Sequence, residues 1–302
     1  MRIVFLGTGG TYPSKIRNVT SVAIQLPGEV LMFDCGEGTQ RQLMRSSVSF
    51  MKIKKIFVSH LHADHFLGLP GLIQSMSLNG REDELLIYGP QGMAANVDSM
   101  MNLGYFKSGF KVTATDLPER KLLDFGGYVI RTEEAAHSIP CLAYSLEEKP
   151  RRGRFSLAKA RRLRIPEGPL YRRLQEGHAV SVRGRKIKPE QVVGPQRPGR
   201  KIVYSGDTRP SKKIVALAKG ADVLIHDCTL DSSHSELAAG FGHSTAAQAA
   251  DVARRAGVKT LFLVHLSPRY EKVDILEKEA RKIFRKSVVA TDLSEFSVKF
   301  DD

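Results

Sequence analysis

The sequence predicts an α/β or α+β fold in which two mixed sheets are covered by helices. Three observations carry that expectation. Short apolar runs of strand character recur along the 302 residues, the early ones lie close together, and helical patterns separate later ones. A hydrophobic fraction of 42% is enough for a sizeable core.

In chain order the strand candidates are RIVFLG (2–7), SVAIQL (21–26), VLMFD (30–34), KKIFVS (54–59), LLIYG (85–89), YVIRTE (128–133), KIVYSG (201–206), DVLIHD (222–227), TLFLVH (260–265) and EFSVKF (295–300). FLGLPGLIQSM (66–76) is helix-like, as are HSTAAQAADVARRAG (243–257), whose Ser244 and Thr245 are N-cap residue types, and VDILEKEARKIFRK (273–286). No apolar run approaches the roughly 18 residues of a membrane span, and the run before the first glycines is too short for a signal-peptide core. The expectation is a cytoplasmic protein with no membrane contact. Cys35, Cys141 and Cys228 lie far apart without C-x-x-C spacing, so neither a disulfide framework nor a thiolate zinc site is expected.

The net charge of +14 is localised. Residues 149–201 hold 17 Lys and Arg against Glu167, Glu176 and Glu190, and the rest of the chain holds 29 residues of each sign. This segment, with KARRLRIPEGPLYRRLQEG, a hairpin candidate HAVSVRGRKI and the turn-rich VVGPQRPGRK, breaks the strand pattern and reads as an insertion. Its apolar residues, Phe155, Leu163, Leu170, Tyr171 and Leu174 among them, look too few for a core, so it is expected to project from a single domain spanning 1–302. A basic run can be a solvated face, or it can neutralise the phosphates of a polyanion.

The chemistry concentrates in SHLHADH, residues 59–65. His60 and His62 stand two apart at the end of an extended run, where the strand period points both to one side as a clamp for one ion. Asp64 and His65 come where the chain must turn. His137 follows YVIRTEEAA, Asp207 follows KIVYSG and His265 follows TLFLV, so each also sits where an apolar run stops. Ligands at several strand ends can converge on one sheet edge. Five histidines and two carboxylates without sulfur suit zinc, and also manganese or iron. Asp207, with two oxygens, can bridge two ions about 3.5 to 4 Å apart and complete both His60–His62–His137 and Asp64–His65–His265. His178 and His234 are read as surface or hydrogen-bonded residues.

SHLHADH, with His137, SGDT (205–208) and His265, resembles the metallo-β-lactamase superfamily. The resemblance covers essentially all residues outside the insertion. It implies an αβ/βα four-layer sandwich with a two-metal site on one edge. Further stretches resemble the ribonuclease Z family, endonucleases that trim the 3′ trailer from precursor tRNA. PSKIRN (13–18) is similar to the family's loop for the acceptor end, which implies RNA contacts for Lys15, Arg17 and Asn18. FDCGEGTQRQL places Asp34 where the superfamily has an aspartate supporting the histidine loop, although a helix-capping role is also open. HDCT (226–229) and HST (243–245) resemble the loops that carry a proton-donating histidine, here His243, with Asp227 orienting it at a position where glutamate is more frequent.

The insertion matches the family's protruding basic arm, which implies tRNA contacts for residues such as Arg161, Arg162, Arg172 and Arg173. The resemblance further implies two zinc ions per subunit, a homodimer, Asp64 as ligand and general base, and products with a tRNA 3′-hydroxyl and a trailer 5′-phosphate. Two alternatives remain at this point: a small-substrate phosphodiesterase or related hydrolase of the same superfamily, against which the charged insertion argues, and a metal-stabilised RNA-binding protein without catalysis. Structural zinc sites are usually single and closed, which disfavours the latter.

Overall fold

The structure, a computed structural model, describes residues 1–301. The first seven-stranded sheet holds β1 (Arg2–Gly7), β2 (Ser21–Leu26), β3 (Glu29–Phe33), β4 (Ile53–Phe57), β5 (Leu85–Gly89) and β6 (Val112–Asp116) in that spatial order, with β16 (Glu295–Ser297) beside β1. Neighbours from β16 through β3 are antiparallel, and β3 through β6 are parallel. The second sheet contains β7 (Leu122–Asp124), β8 (Tyr128–Glu134), β9 (Leu142–Glu148), β12 (Lys201–Tyr204), β13 (Val223–Asp227), β14 (Thr260–Val264) and β15 (Ser287–Val289), with β12 through β15 parallel.

The strand period of two produces the layers. In β1, Ile3 and Phe5 join a core shared by both sheets, while Val4 and Leu6 face a second core with Leu72, Ile73 and Met76 of the helix Leu69–Leu78. In β14, Phe262 and Val264 enter the shared core, while Leu261 and Leu263 pack with Ala249, Ala250 and Ala253 of the helix Ala246–Ala256. Sheet therefore lies on sheet, and each outer face carries helices, which is the four-layer arrangement expected. Each fully buried Ile, Leu or Phe contributes about 1.5 to 3 kcal/mol relative to exposure.

Strands at 112–116, 122–124, 142–148 and 287–289 are additions to the sequence reading, as are helices Thr39–Arg45, Met93–Met101, Lys212–Leu217 and Ser235–Phe241. β9 reads LAYSLEE, with no β-branched residue, and its strand character comes from burial between neighbours. Residues 243–245 stay outside the helix, because Thr245 caps it by accepting from the Gln248 amide while the Gln248 side chain accepts from Thr245 N–H.

Residues 147–199 form a second compact unit, so Arg200 and Lys201 fall to the larger one, where Arg200 Nη1 donates to Val298 O at 2.9 Å. The expectation that this segment lacks a core is overturned. Ala160, Ile165, Leu174, Val180, Val182, Ile187 and Val192 are buried in one cluster, with Phe155, Leu163, Leu170 and Tyr171 packed against it. The count of large side chains missed this because two short helices, Leu157–Arg162 and Pro169–Gln175, and the hairpin of β10 (Val180–Val182) and β11 (Arg185–Ile187) each present one apolar face. Arg183 and Gly184, with φ of 51° and 75°, form the hairpin turn.

Candidate metal centre

The strand ends converge. His60 and His62 follow β4, His137 follows β8, Asp207 follows β12 and His265 follows β14. β4 stops at Phe57, so His60 and His62 occupy an unpaired extended segment rather than the strand, and Asp64 and His65 stand on a helical turn, Ala63–Phe66. Their ligand atoms nevertheless cluster: His60–His62–His137, His60–His65–Asp207 and Asp64–His65–His265 each lie close together, and Asp207 also falls with His137 and His243, and His265 with Asp227 and His243.

His62 Nδ1 lies 3.0 Å from His60 Nε2 and 3.2 Å from His137 Nε2. Asp64 Oδ2 lies 3.5 Å from His65 Nε2 and 3.3 Å from His265 Nε2, while Asp207 Oδ2 lies 3.6, 3.3 and 3.1 Å from Nε2 of His60, His65 and His265. Two ligand bonds of about 2.0 to 2.1 Å at a tetrahedral angle separate their donor atoms by roughly 3.3 Å, so His60–His62–His137 and Asp64–His65–His265 have the spacing of ligands around one ion each.

The unused ring nitrogens support the same arrangement. Nδ1 of His60 meets Ser59 Oγ at 3.0 Å, that of His65 meets Asp34 Oδ2 at 2.7 Å, that of His137 meets Gly242 O at 2.9 Å and that of His265 meets Thr229 Oγ1 at 2.8 Å. Each bond orients an imidazole so that Nε2 faces the cluster. His65 Nε2 is buried without a hydrogen-bond partner, a costly condition that a cation relieves. Burial, reinforced by the neighbouring His65, holds His60 well below the usual histidine range, which keeps it a neutral ligand. Burial opposes charge on His65 too, but Asp207 and Asp34 outweigh it and raise its pKa. Burial alone would raise Asp64, yet the neighbouring His265 and His65 outweigh it and keep the group a carboxylate.

Asp34 is fully buried and accepts from Ser59 N at 2.6 Å, Ser59 Oγ at 2.8 Å and the Tyr204 hydroxyl, besides His65. It caps no helix, since the helix Thr39–Arg45 starts at Gly38. Asp34 and His265 both hold left-handed backbone, φ 59° and 60°, conformations that surrounding packing must sustain. Gly10 is required beside His265, because a Cβ there would stand 2.4 Å from the imidazole.

His243 Nδ1 lies 3.0 Å from Asp227 Oδ2, so the shorter aspartate does reach. Asp227 also accepts from Thr208 N at 3.1 Å and Thr229 Oγ1 at 2.7 Å, which locks it. Burial disfavours a charged His243, but Asp227 outweighs it and lifts the pKa to about 9. An open pocket of about 540 Å³ gives access to His62, Asp64, His137, Asp207, His243 and His265.

Other candidates stand apart. Lys15 is exposed, but Arg17 is half-buried and donates to Tyr270 O at 2.6 Å, and Asn18 Nδ2 donates to Glu37 O at 2.8 Å, so these two brace the loop in this structure rather than presenting free donors. Lys15, Arg17 and Asn18 line a separate cleft with Arg41 and Arg45. Arg161, Arg162, Arg172 and Arg173 are exposed in the second unit, with Arg161 paired to Glu167 and Arg172 to Glu176. His226 is buried, His178 exposed, and His234 is bonded to Asp231. Sequence reasoning missed Ser59, Tyr204 and Thr229, whose types carry no signal apart from adjacency to a ligand or to Asp227.

A family model described as Anti-Pycsar protein Apyc1 matches residues 1–113, and one described as Beta-lactamase superfamily domain matches residues 173–266. The chain is 46% identical over 301 residues to Ribonuclease Z of Methanosarcina acetivorans, covering 99% of both chains. It is also 46% identical over 302 residues to Ribonuclease Z of Methanothermobacter thermautotrophicus, covering 100% of this chain and 98% of that one. Among solved structures, human tRNase Z, short form, superposes with a TM-score of 0.74 at 30% identity, covering 99% of this chain and 100% of that chain.

Proposed function

The chain belongs to the ribonuclease Z family and is a tRNA 3′-processing endoribonuclease; we propose that it cuts through a pair of divalent ions, zinc in the first instance, held by His60, His62 and His137 and by Asp64, His65 and His265, with Asp207 shared. The observation that carries the mechanism is the spacing of those two ligand groups around Asp207. Ions there would lower the pKa of a coordinated water toward neutrality and offset charge on the phosphoryl oxygens.

The protein's own groups do the rest. Asp64, kept ionised by His65 and His265, accepts the proton of the attacking water. His243, protonated through Asp227, faces the same pocket and donates its proton to the departing O3′. The tRNA then ends in a 3′-hydroxyl and the trailer begins with a 5′-phosphate. Residues 147–199, which hold Arg161, Arg162, Arg172 and Arg173 on their surface, grip the precursor through its phosphates, and Lys15 approaches its acceptor end from the loop that Arg17 and Asn18 brace. We assign the working form as a cytoplasmic homodimer on family resemblance; no helix of the described residues is long and apolar enough to cross a membrane.

The test is metal titration. Chelated protein is reloaded stepwise with zinc while bound metal and precursor cleavage are followed. Activity that rises with loading to two ions per chain supports the reading, and full activity in metal-free protein contradicts it.

A further inference from the structure

The pocket above the histidine cluster has an apolar wall that the chemistry so far leaves unused. Leu237 and Phe241, on the helix Ser235–Phe241, line it together with His62, Asp64, His137 and His243. Phe241 is 63% exposed and Leu237 38%, and the Phe241 ring stacks on no other ring among the described residues. The segment that carries it is nonetheless fixed. Gly242, at φ 86°, turns the chain directly after Phe241 and gives its carbonyl to His137 Nδ1, at 2.9 Å. His243 N donates to Ala238 O at 2.8 Å, and Arg209 Nε donates to Ala239 O at 2.7 Å. An exposed aromatic ring is thus held two residues from the proton donor and one from the carbonyl that orients a ligand.

We propose that Phe241, backed by Leu237, stacks on the base of the nucleotide whose O3′ departs, the last nucleotide of the mature tRNA. The proposal rests on the assignment of His243 as the acid for that O3′. A proton donor must stand within hydrogen-bond reach of the atom it protonates, so the ribose carrying O3′ sits against His243 and its base enters the same pocket. The exposed apolar surface of that pocket is an aromatic face and a leucine, and Thr11, Ser138, Ser267 and Arg269 also line it. Stacking on such a face is tolerant of base identity, because every base has a π-face, and it fixes the sugar on which the leaving oxygen is mounted. Phe241 thereby helps define which phosphate is cut without reading sequence.

The test compares the holoenzyme with Phe241→Ala and Phe241→Trp on two substrates: a precursor tRNA, and the same precursor with an abasic residue at the position before the cut. Single-turnover rates, metal content and oligomeric state are measured for each protein. The expected result is a loss of roughly 5- to 100-fold for Phe241→Ala on the intact precursor, recovery in Phe241→Trp, and little further loss for Phe241→Ala on the abasic precursor, all at unchanged metal content. Equal losses on both substrates, or no loss on either, overturn the stacking role. A change of Phe241→Ala from dimer to monomer with equal losses on both substrates would likewise overturn it and make this wall a protein interface. Wild-type protein that cuts the intact precursor while the variants fail to discriminate sinks this inference alone; wild-type protein that leaves the precursor intact sinks the reading beneath it.

Discussion

At the residue scale, two carboxylates that need not touch the reacting atoms control the site. Asp34 fixes His65 by one oxygen while holding Ser59 and Tyr204, so its removal frees both a ligand and the loop that bears two more. Asp34→Ala should weaken metal affinity by about 10- to 100-fold, read by competition with a chromogenic chelator. Asp227 acts on His243. Because the folded-state pKa of His243 is raised to about 9, the acid form persists through neutrality and is lost only as pH rises through that value. Asp227→Asn removes the charge that raises it, so the alkaline limb of the pH–rate profile should move down toward the ordinary histidine range and the rate at pH 8 should fall; an unmoved limb would assign it to another group. The candidate ligands were legible as a cluster because histidine and aspartate at strand ends are chemically distinctive. Ser59, Tyr204 and Thr229 were not, since a hydroxyl acquires its role only from what folding brings within 3 Å, here Asp34 for Ser59 and Asp227 and His265 for Thr229.

At the scale of elements, β4, β8, β12 and β14 end at the cluster and supply rigid mounts, while short loops after them aim the side chains. The turn into the helix Ala246–Ala256 is such a mount, because His243 lies two residues before Thr245 and Ser244 Oγ donates to Thr208 O at 2.7 Å. Thr245→Ala should cost about 1 kcal/mol in urea unfolding and reduce cleavage more than a surface substitution would. Strands with dense β-branched or aromatic residues, such as RIVFLG and TLFLVH, were visible from pattern alone. β6, β7 and β9 were not: VTATD is a partly exposed strand with two apolar residues, LLD spans only three residues, and LAYSLEE owes its place to neighbours. The basic segment was legible as a distinct unit from its charge and turns. Its core was not, because burial there is assembled from Ala160, Val180, Val182 and Ile187 across separate elements.

At the scale of the whole molecule, charge and chemistry are divided: the 149–201 stretch carries the net +14, and the remainder, balanced in charge, carries the candidate metal-binding residues. Replacing Arg161, Arg162, Arg172 and Arg173 together by Ala should raise KM for precursor tRNA and flatten its salt dependence, by about 0.7 to 0.9 in slope for each phosphate no longer neutralised, while hydrolysis of a small phosphodiester stays unchanged. Unaltered KM and slope would return these residues to an ordinary solvated face.

Whether the cluster built on SHLHADH cuts precursor tRNA at one phosphate can be read from the ends it produces. End-mapping of a 5′-labelled precursor incubated with zinc-loaded protein, with Asp64→Ala in parallel, tests it most directly. The expected result is a single cut after the last nucleotide of the mature tRNA, ending in a 3′-hydroxyl and absent from the variant. A 2′,3′-cyclic phosphate at that end, or a cut that survives in Asp64→Ala, would contradict it.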